Sequence, residues 1–279
     1  MRANTITKKS FLAGNRYWIM LVAALLFLPP FSFLFQFTGD SSFCGSWCPR
    51  MFFVWRKGMT GYEYLFGFLR SYLGVILVLG MLGSTFFFGR YWCSHLCPIG
   101  GIMEGGSRML SKGMKIDYSG IPAPAFRYGY LAVYLIASAT GIGSLCCSYC
   151  NFATIPRILG AAFSPADMLY FFRAAGLINL GLVIFLGFIA RGGRAYCNLL
   201  CPVGAIDAIT NRLGMRFGKR ISIDSEKCNA CAACVKVCPT WSIEVKGNKA
   251  MIDQFSCMPC RECEKVCAKE AIRYGGPAC

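Results

Sequence analysis

Apolar residues are concentrated in four long runs, which polar and basic stretches separate along the first two thirds of the chain. A helix needs about 20 apolar residues to cross a bilayer, and each run has roughly that length. The pattern therefore predicts an α-helical membrane protein with four transmembrane helices. The predicted helices are Tyr17–Phe37, Leu65–Phe88, Tyr128–Leu145 and Met168–Ala190.

Basic residues are distributed unevenly between the segments that join these runs. Residues 1–16, 89–127 and 191–220 carry four, five and six Lys or Arg, whereas residues 38–62 and 145–167 carry three and one. Cytoplasmic loops of membrane proteins are enriched in Lys and Arg. The distribution predicts a multi-pass protein of the cytoplasmic (inner) membrane, with both termini in the cytoplasm and its basic loops beside membrane lipid.

Composition narrows the class of protein further. Hydrophobic residues make up 56% of the 279 residues and charged residues 15%, whereas soluble domains carry about 25% charged residues. This disfavours a soluble globular domain and a disordered chain. The net charge of +16 is spread over loops beside apolar runs, which argues against a nucleic-acid partner. The 18 cysteines and the single histidine indicate thiolate ligands for metal.

Residues 221–279 lack a long apolar run and contain two cysteine motifs. The first is Cys228-x2-Cys231-x2-Cys234-x3-Cys238-Pro239, and the second is Cys257-x2-Cys260-x2-Cys263-x3-Cys267. In bacterial two-cluster ferredoxins each motif gives three thiolates to one [4Fe–4S] cluster and its fourth to the other. The spacing predicts a C-terminal α+β two-cluster ferredoxin domain. Its ligand sets are Cys228, Cys231, Cys234 and Cys267, and Cys257, Cys260, Cys263 and Cys238.

Two zinc knuckles are the alternative for these eight cysteines. Zinc sites usually pair Cys-x2-Cys with a distant second pair, and this spacing differs from that arrangement.

The preceding part of the chain, residues 1–220, contains an internal repeat. The segment from Gly89 to Gly100 recurs from Gly193 to Gly204, and both copies carry Cys-x3-Cys-Pro-x-Gly. An earlier Cys-x3-Cys pair also occurs twice, as Cys44/Cys48 and Cys146/Cys150. We interpret this part as two tandem helix hairpins, over roughly residues 17–110 and 128–213.

Two hairpins of the same sense would bring equivalent cysteine pairs together. We expect one group at the cytoplasmic face and another at the opposite face: Cys93, Cys97, Cys197 and Cys201, and Cys44, Cys48, Cys146 and Cys150. Each group has the four thiolates that a [4Fe–4S] cluster needs. For the cytoplasmic group a cluster is favoured over free thiols. For the outer group a cluster, disulfides and another metal remain open.

The four runs, the twin Cys-x3-Cys-Pro loops and the terminal ferredoxin motif resemble the NapH/MauN family of membrane ferredoxin-type proteins. The membrane cores of NosR-like and CcoG-like proteins are similar. The resemblance implies that Cys93, Cys97, Cys197 and Cys201 correspond to the Cys-x3-Cys-Pro motifs of the family, and that the cysteines from Cys228 to Cys267 are its ferredoxin ligands. It also implies quinol oxidation and electron delivery to periplasmic redox enzymes. The outer cysteine pairs depart from the simplest NapH pattern.

Three other residues are candidates for the surroundings of a quinone or a cluster. Arg70 and Arg173 lie near the outer ends of predicted helices, where a charge is costly and commonly functional. Snorkelling to the interface explains them equally well. His95 lies between two predicted cluster ligands, but its repeat equivalent is Leu199, which argues against ligation. A quinone is therefore an additional candidate cofactor.

Together these features predict a protein that transfers electrons and has no catalytic residues that make or break covalent bonds. We expect a membrane-bound iron–sulfur protein, with up to four [4Fe–4S] clusters, that passes electrons between quinol or a cytoplasmic donor and another redox subunit. Such a subunit would be a periplasmic iron–sulfur or cytochrome protein. The alternative is a redox-sensing or maturation factor for a respiratory metalloenzyme. One difficulty is that a span of about 25 residues separates the two faces by about 35 Å.

Overall fold

A computed structural model describes residues 15–27, 72–139, 149–162 and 165–276. Within them a helical body precedes a small domain that contains two two-stranded sheets. The α-helices are α1 (Arg16–Phe27), α2 (Tyr72–Phe88), α3 (Pro98–Met109), α4 (Ala123–Ala139), α5 (Asn151–Gly160), α6 (Pro165–Phe171), α7 (Ala174–Val183), α8 (Ala195–Leu199), α9 (Pro202–Leu213), α10 (Ala233–Val237) and α11 (Glu262–Val266). The strands are β1 (Arg220–Ile223), β2 (Ile243–Lys246), β3 (Lys249–Ile252) and β4 (Ile272–Gly275).

The prediction of four transmembrane helices is wrong for the residues that the structure describes. None of their helices is by itself both long enough and apolar enough to cross a membrane. The helices in the first three predicted spans, α1, α2 and α4, have 12, 17 and 17 residues. In the fourth span, α6 and the helix Ala174–Phe188 satisfy the criteria of length and composition only as a pair, and they meet at 83°.

The bend in the fourth apolar run has a local cause. Backbone at Arg173 is extended, with φ −91° and ψ 149°, so α6 cannot continue into α7. Gly176 lies directly against the Tyr170 carbonyl oxygen, where a Cβ atom would overlap it. The hydropathy of residues 168–190 therefore identified an apolar segment, but it could not show that this segment forms two helices with different directions.

The interior of the helical body is formed by helices from both halves of the repeat. Ile99 and Met103 of α3 pack with Ile155 of α5, Val183 of α7 and Tyr196 of α8. The cysteines Cys97 and Cys201 pack against this same apolar cluster. Burial of these side chains thus holds the two Cys-x3-Cys-Pro loops side by side.

Helices α3 and α9 begin in the same way. Cys97 and Cys201 precede them in extended conformation, with ψ 110° and 111°, and Pro98 and Pro202 occupy the first helical turn. Proline suits this position because its missing N–H would have no intrahelical partner. The Cys-Pro step therefore places one thiol of each loop directly at a helix start.

The small domain has two similar halves. Strand β1 pairs with β4 and β2 with β3, both antiparallel. Ile221, Ile243, Ala250 and Ile272 form its apolar core. Helices α10 and α11 each follow a residue in the left-handed region, Ala232 (φ 57°) and Arg261 (φ 61°), which hold equivalent positions in the two motifs. The predicted α+β ferredoxin domain agrees with this arrangement.

Candidate metal centres

Four cysteines of the small domain surround one cavity of about 160 Å³. They are Cys228, Cys231, Cys234 and Cys267, which is the first ligand set that the spacing predicts. The rest of the lining is mainly alanine and isoleucine, so no other strong ligand competes for the space. Cys231 is exposed and Cys228 and Cys267 are half-buried. We call these four residues the exposed ferredoxin site.

The second predicted set is Cys238, Cys257, Cys260 and Cys263, and all four side chains are buried. We call it the buried ferredoxin site. Burial, opposed by Arg16 and aided by the nearby thiol of Cys238, raises the pKa of the Cys260 thiol to about 11. Since a metal keeps a coordinated thiol deprotonated, a buried group of four thiols fits a metal cluster better than it fits free thiolates.

Backbone N–H groups donate to the cysteine sulfurs at equivalent places in the two halves. The amide of Ser242 donates to Cys238 Sγ at 3.4 Å, and the amide of Ala271 donates to Cys267 Sγ at 3.3 Å. Hydrogen bonds to ligand sulfurs are one of the means by which a protein tunes cluster potential. Across the described residues, no three Cys, His, Asp or Glu side chains converge closely enough for a single metal ion.

The helical body brings together the third predicted set, Cys93, Cys97, Cys197 and Cys201, which we call the helical-body site. Burial and neighbouring Cys197 together raise the pKa of the Cys97 thiol to about 11. Burial also raises the pKa of the Cys201 thiol, and Cys197 and Cys97 add to it. The amide of Gly204 donates to Cys201 Sγ at 3.3 Å. This donor set again suits a thiolate-bound cluster.

Two buried arginines connect the loops of the helical-body site, and the sequence analysis did not identify them. Arg90 donates from Nε to Asp207 Oδ2 at 3.1 Å, and Arg194 donates from Nη2 to Glu104 Oε2 at 2.9 Å. Each arginine belongs to one half of the repeat and its carboxylate to the other. Both copies of the repeat begin with Gly-Arg. This shared dipeptide is the sequence feature by which the two arginines could have been identified.

The motif glycine Gly100 makes room for one of these arginines. A Cβ atom at Gly100 would overlap Nη1 of Arg194, whose side chain is only 1% exposed. The buried guanidinium cannot move aside without losing its bonds to Glu104. The glycine of Cys-Pro-x-Gly is therefore required by packing across the repeat.

Glu104 of α3 also binds α1 and is linked through it to the small domain. Arg16 of α1 donates to Glu104 Oε2 at 2.6 Å, and the same guanidinium lies 3.5 Å from Glu262 of α11. Burial by itself would raise the pKa of Glu104, but Arg194 and Arg16 lower it to about 2. Glu104 is thus an ionised carboxylate between Arg16 and Arg194. Through Arg16 it is linked to α11, the helix that follows Cys260.

Further hydrogen bonds fix the small domain on the helical body. Asn198 Nδ2 donates to the Thr240 carbonyl at 2.9 Å, and Tyr274 Oη donates to the Phe88 carbonyl at 2.8 Å. Arg220 donates to the carbonyls of Phe86 and Thr85. Arg90 of the helical body also donates to the Ser256 carbonyl, next to Cys257, so the buried ferredoxin site faces the helical body.

The outer cysteine group is only partly within the described residues, because Cys44, Cys48 and Cys146 lie outside them. Cys150 is buried, and it is not remote from the helical-body site. Tyr196 Oη donates to the Tyr149 carbonyl at 2.9 Å and accepts from the Asn151 amide at 3.3 Å. Helix α5 packs against α3 and carries Cys150 with it. The expected separation between two faces therefore does not hold for Cys150.

The three candidates for a quinone or cluster environment have different surroundings. His95 is buried, its Nδ1 lies 2.6 Å from Ser94 Oγ, and its ring stacks on Tyr91. Burial and the charges of Arg16 and Arg194 lower its pKa to about 3, so the ring is neutral near pH 7. Arg173 is exposed at the start of α7. Arg70 lies outside the described residues. Their predicted role stays a prediction.

Comparison with known proteins identifies two iron–sulfur families. A family described as "4Fe-4S binding domain" matches twice, over residues 71–117 and 173–220, and so coincides with both copies of the Cys-x3-Cys-Pro loop. A family described as "4Fe-4S dicluster domain" matches residues 220–268. These matches confirm [4Fe–4S] clusters as the cofactor. No solved structure matches the chain.

Curated relatives are ferredoxin-type proteins. NapH of Haemophilus influenzae is 30% identical over 59% of this chain and 51% of its own length. The methylamine utilization ferredoxin-type protein MauN of Methylobacillus flagellatus is 27% identical over 60% and 53%. NapH of Escherichia coli is 27% identical over 54% and 47%. The chain thus spans about half the length of the curated relatives it matches.

Proposed function

Because the chain is a ferredoxin-type protein of the NapH and MauN kind, we propose that it transfers electrons through iron–sulfur clusters at the inner membrane. The proposed electron source is quinol or a cytoplasmic donor, and the acceptor is another redox subunit. When bound, the clusters supply one-electron oxidation and reduction. The chain itself binds them, buries all four cysteines of the buried ferredoxin site, half-buries those of the helical-body site and holds these sites in a fixed order.

The order of the sites is the observation that carries this proposal. The helical-body site adjoins the buried ferredoxin site, because Arg90 contacts Asp207 on one side and the Ser256 carbonyl on the other. The buried site shares its small domain with the exposed site, where Cys231 reaches the surface. Electrons would enter or leave at the exposed end and pass through the buried ferredoxin site to the half-buried helical-body site. We propose three clusters here, and a fourth for the group that includes Cys150.

A membrane location is supported by exposed apolar side chains on the helical body. Ile76 and Leu79 of α2, Ile136 of α4 and Leu177 of α7 are each between 58% and 63% exposed. Large apolar surfaces in contact with water mark sites that lipid or a partner protein covers. We propose that this surface contacts lipid. Alkaline carbonate extraction of membranes would test it, because release of the chain into the supernatant contradicts the proposal.

Iron and acid-labile sulfide per chain, with electron paramagnetic resonance during a redox titration, test the proposed clusters. About twelve irons would support the three described sites and about sixteen would add the group with Cys150, at four irons for each cluster. About eight would restrict clusters to the small domain and contradict the helical-body site.

The proposed quinol donor is tested on the same anaerobic protein in lipid vesicles. Reduction of the clusters by a quinol, followed as bleaching of their visible absorption, is the expected result. If dithionite bleaches the protein and the quinol does not, the quinol part of the proposal is wrong. A control with Cys93→Ser should keep the ferredoxin sites and lose the quinol-dependent reduction.

A further inference from the structure

The arginines Arg90 and Arg194 form a crossed pair in the helical body. Arg90 reaches from the first half of the repeat to Asp207, and Arg194 reaches from the second half to Glu104. All four side chains are at most 3% exposed. These two equivalent ion pairs explain how the two cysteine loops are held together. The two arginines differ, however, in the other hydrogen bonds that they donate.

Arg90 extends beyond the helical body into the small domain. Its Nη1 donates to the Phe255 carbonyl at 3.2 Å and to the Ser256 carbonyl at 3.4 Å. Ser256 immediately precedes Cys257 of the buried ferredoxin site. Arg194 instead donates from Nη1 to the Cys93 carbonyl at 2.8 Å, so this bond stays within the helical body.

The carboxylate that Arg90 binds lies against a cysteine of the helical-body site. Asp207 Oδ2 is 3.2 Å from Cys93 Sγ and 3.1 Å from Arg90 Nε. A continuous series of contacts therefore runs from Cys93 through Asp207 and Arg90 to the backbone beside Cys257. A second contact between the same parts, from Asn198 to Thr240, does not involve either arginine.

We propose that Arg90 is a positioning residue that holds the Cys257 loop against the Cys93 loop and thereby couples the helical-body site to the buried ferredoxin site. This inference rests on the proposed function, since it assumes that both sites carry electrons. Arg194 stabilises the helical-body site, and its link to the small domain is indirect, through Glu104, Arg16 and Glu262, so we expect it to contribute much less to this coupling. The planar guanidinium is suited to the task because its fixed donors reach the carboxylate and two carbonyls together, which a lysine ammonium cannot do.

The test compares Arg90→Lys with Arg194→Lys in the full chain, purified anaerobically. Both substitutions keep the positive charge. Magnetic interaction between reduced clusters broadens their electron paramagnetic resonance signals, and this broadening depends on how closely the sites are held. Arg90→Lys is expected to lose the broadening assigned to this pair of sites while iron content is unchanged. Arg194→Lys is expected to keep it.

Three results would overturn the inference: wild-type broadening in Arg90→Lys, equal loss in both variants, or no broadening between these sites in the wild type. If the wild type still accepts electrons in any of these cases, the proposed function stands and only the role of Arg90 is wrong. Absence of iron or of reduction in the wild type would instead contradict the function itself.

A further variant separates positioning from folding. If Arg90→Lys does not fold, Asp207→Asn preserves side-chain shape but removes the ion pair, and it is expected to reduce the broadening. Unchanged broadening in Asp207→Asn would then count against the proposal. Asn211→Ala, which removes only the neighbouring bond to the Gln254 carbonyl, is the docking control and should keep the broadening.

Discussion

The two ferredoxin sites have the same cysteine spacing and different surroundings. In the exposed site Cys231 is open to solvent, whereas its equivalent in the buried site, Cys260, is 5% exposed. The helical body covers the buried site through Arg90, Arg16 and α1, whereas among the residues that the structure describes Cys231 has no comparable cover. Under the proposed function the two equivalent motifs would therefore have different tasks: the buried site would be an internal relay and the exposed site the point of exchange with a partner.

In the proposed electron path, burial rather than ligand spacing would decide whether a site exchanges electrons with a partner or only with other clusters. A cluster near the surface approaches an external partner closely, whereas a covered one exchanges electrons only with its neighbours. Cover and charge also tune reduction potential. Four sets of variants test how far the two sites depend on their surroundings, in decreasing order of expected effect.

The largest contrast should come from the equivalent cysteines. Cys260→Ala and Cys231→Ala each remove one ligand, and we expect each to lose about four irons per chain. Only Cys260→Ala should strongly lower the unfolding temperature, because its empty site lies between the small domain and the helical body. Iron analysis and thermal unfolding measure both effects. Equal unfolding temperatures would contradict the distinction between the sites.

The cover of the buried site should depend on Glu104. Glu104→Gln leaves Arg194 buried without a counter-ion and leaves Arg16 only its 3.5 Å contact with Glu262, and breaking a buried ion pair in this way typically costs about 3–5 kcal/mol of unfolding free energy. Chemical denaturation near pH 7 measures it. The surface variant Glu244→Gln is the control, because its ion pair with Lys246 is exposed.

The pH dependence of this effect has a defined sign. The pKa of Glu104 is about 2 in the folded chain and 4.5 ordinarily. Its stabilisation is therefore complete above about pH 4.5 and is lost as the pH falls toward 2. The difference between wild type and Glu104→Gln should stay constant from pH 7 to 5 and shrink below. A difference that grows on acidification would show that Glu104 is not ionised in the folded state.

A smaller effect is expected from glycines of α3. Gly100→Ala forces a Cβ atom onto the buried Arg194 guanidinium, and overpacking of this kind costs about 1–3 kcal/mol. Gly105→Ala, in the same helix, meets no atom within 4 Å and should be neutral or slightly stabilising. Denaturation of the two variants measures the contrast. Equal stability would mean that Arg194 can move aside.

The smallest effect is expected beside the exposed site. Lys227 pairs with Asp224 on the surface at 3.1 Å, and exposed pairs contribute about 0–1 kcal/mol. Lys227→Ala should leave unfolding unchanged within that range and keep the iron content. A clear loss of stability would show that the exposed site depends on its surface charges.

The sequence allowed the metal chemistry to be predicted in detail, because ligand spacing is a local property. The motif from Cys228 to Cys238 predicted which thiols surround the 160 Å³ cavity, including Cys267 from the other motif. The repeated Cys-Pro-x-Gly loops likewise predicted that Cys97 and Cys201 come together. Short loops and a proline after the cysteine determine these positions over a few residues.

Other features of the protein arise from contacts between residues that are distant in the sequence, and only the three-dimensional structure shows them. Hydropathy could not show that residues 168–190 bend at Arg173, since an apolar run has the same composition whether straight or bent. Nor could it pair Arg90 with Asp207 or bring Cys150 beside Tyr196. Motif spacing was therefore enough to predict the cofactor and to group its candidate ligands. The order of the sites, and which of them is covered, arise from packing between the halves of the repeat and the small domain.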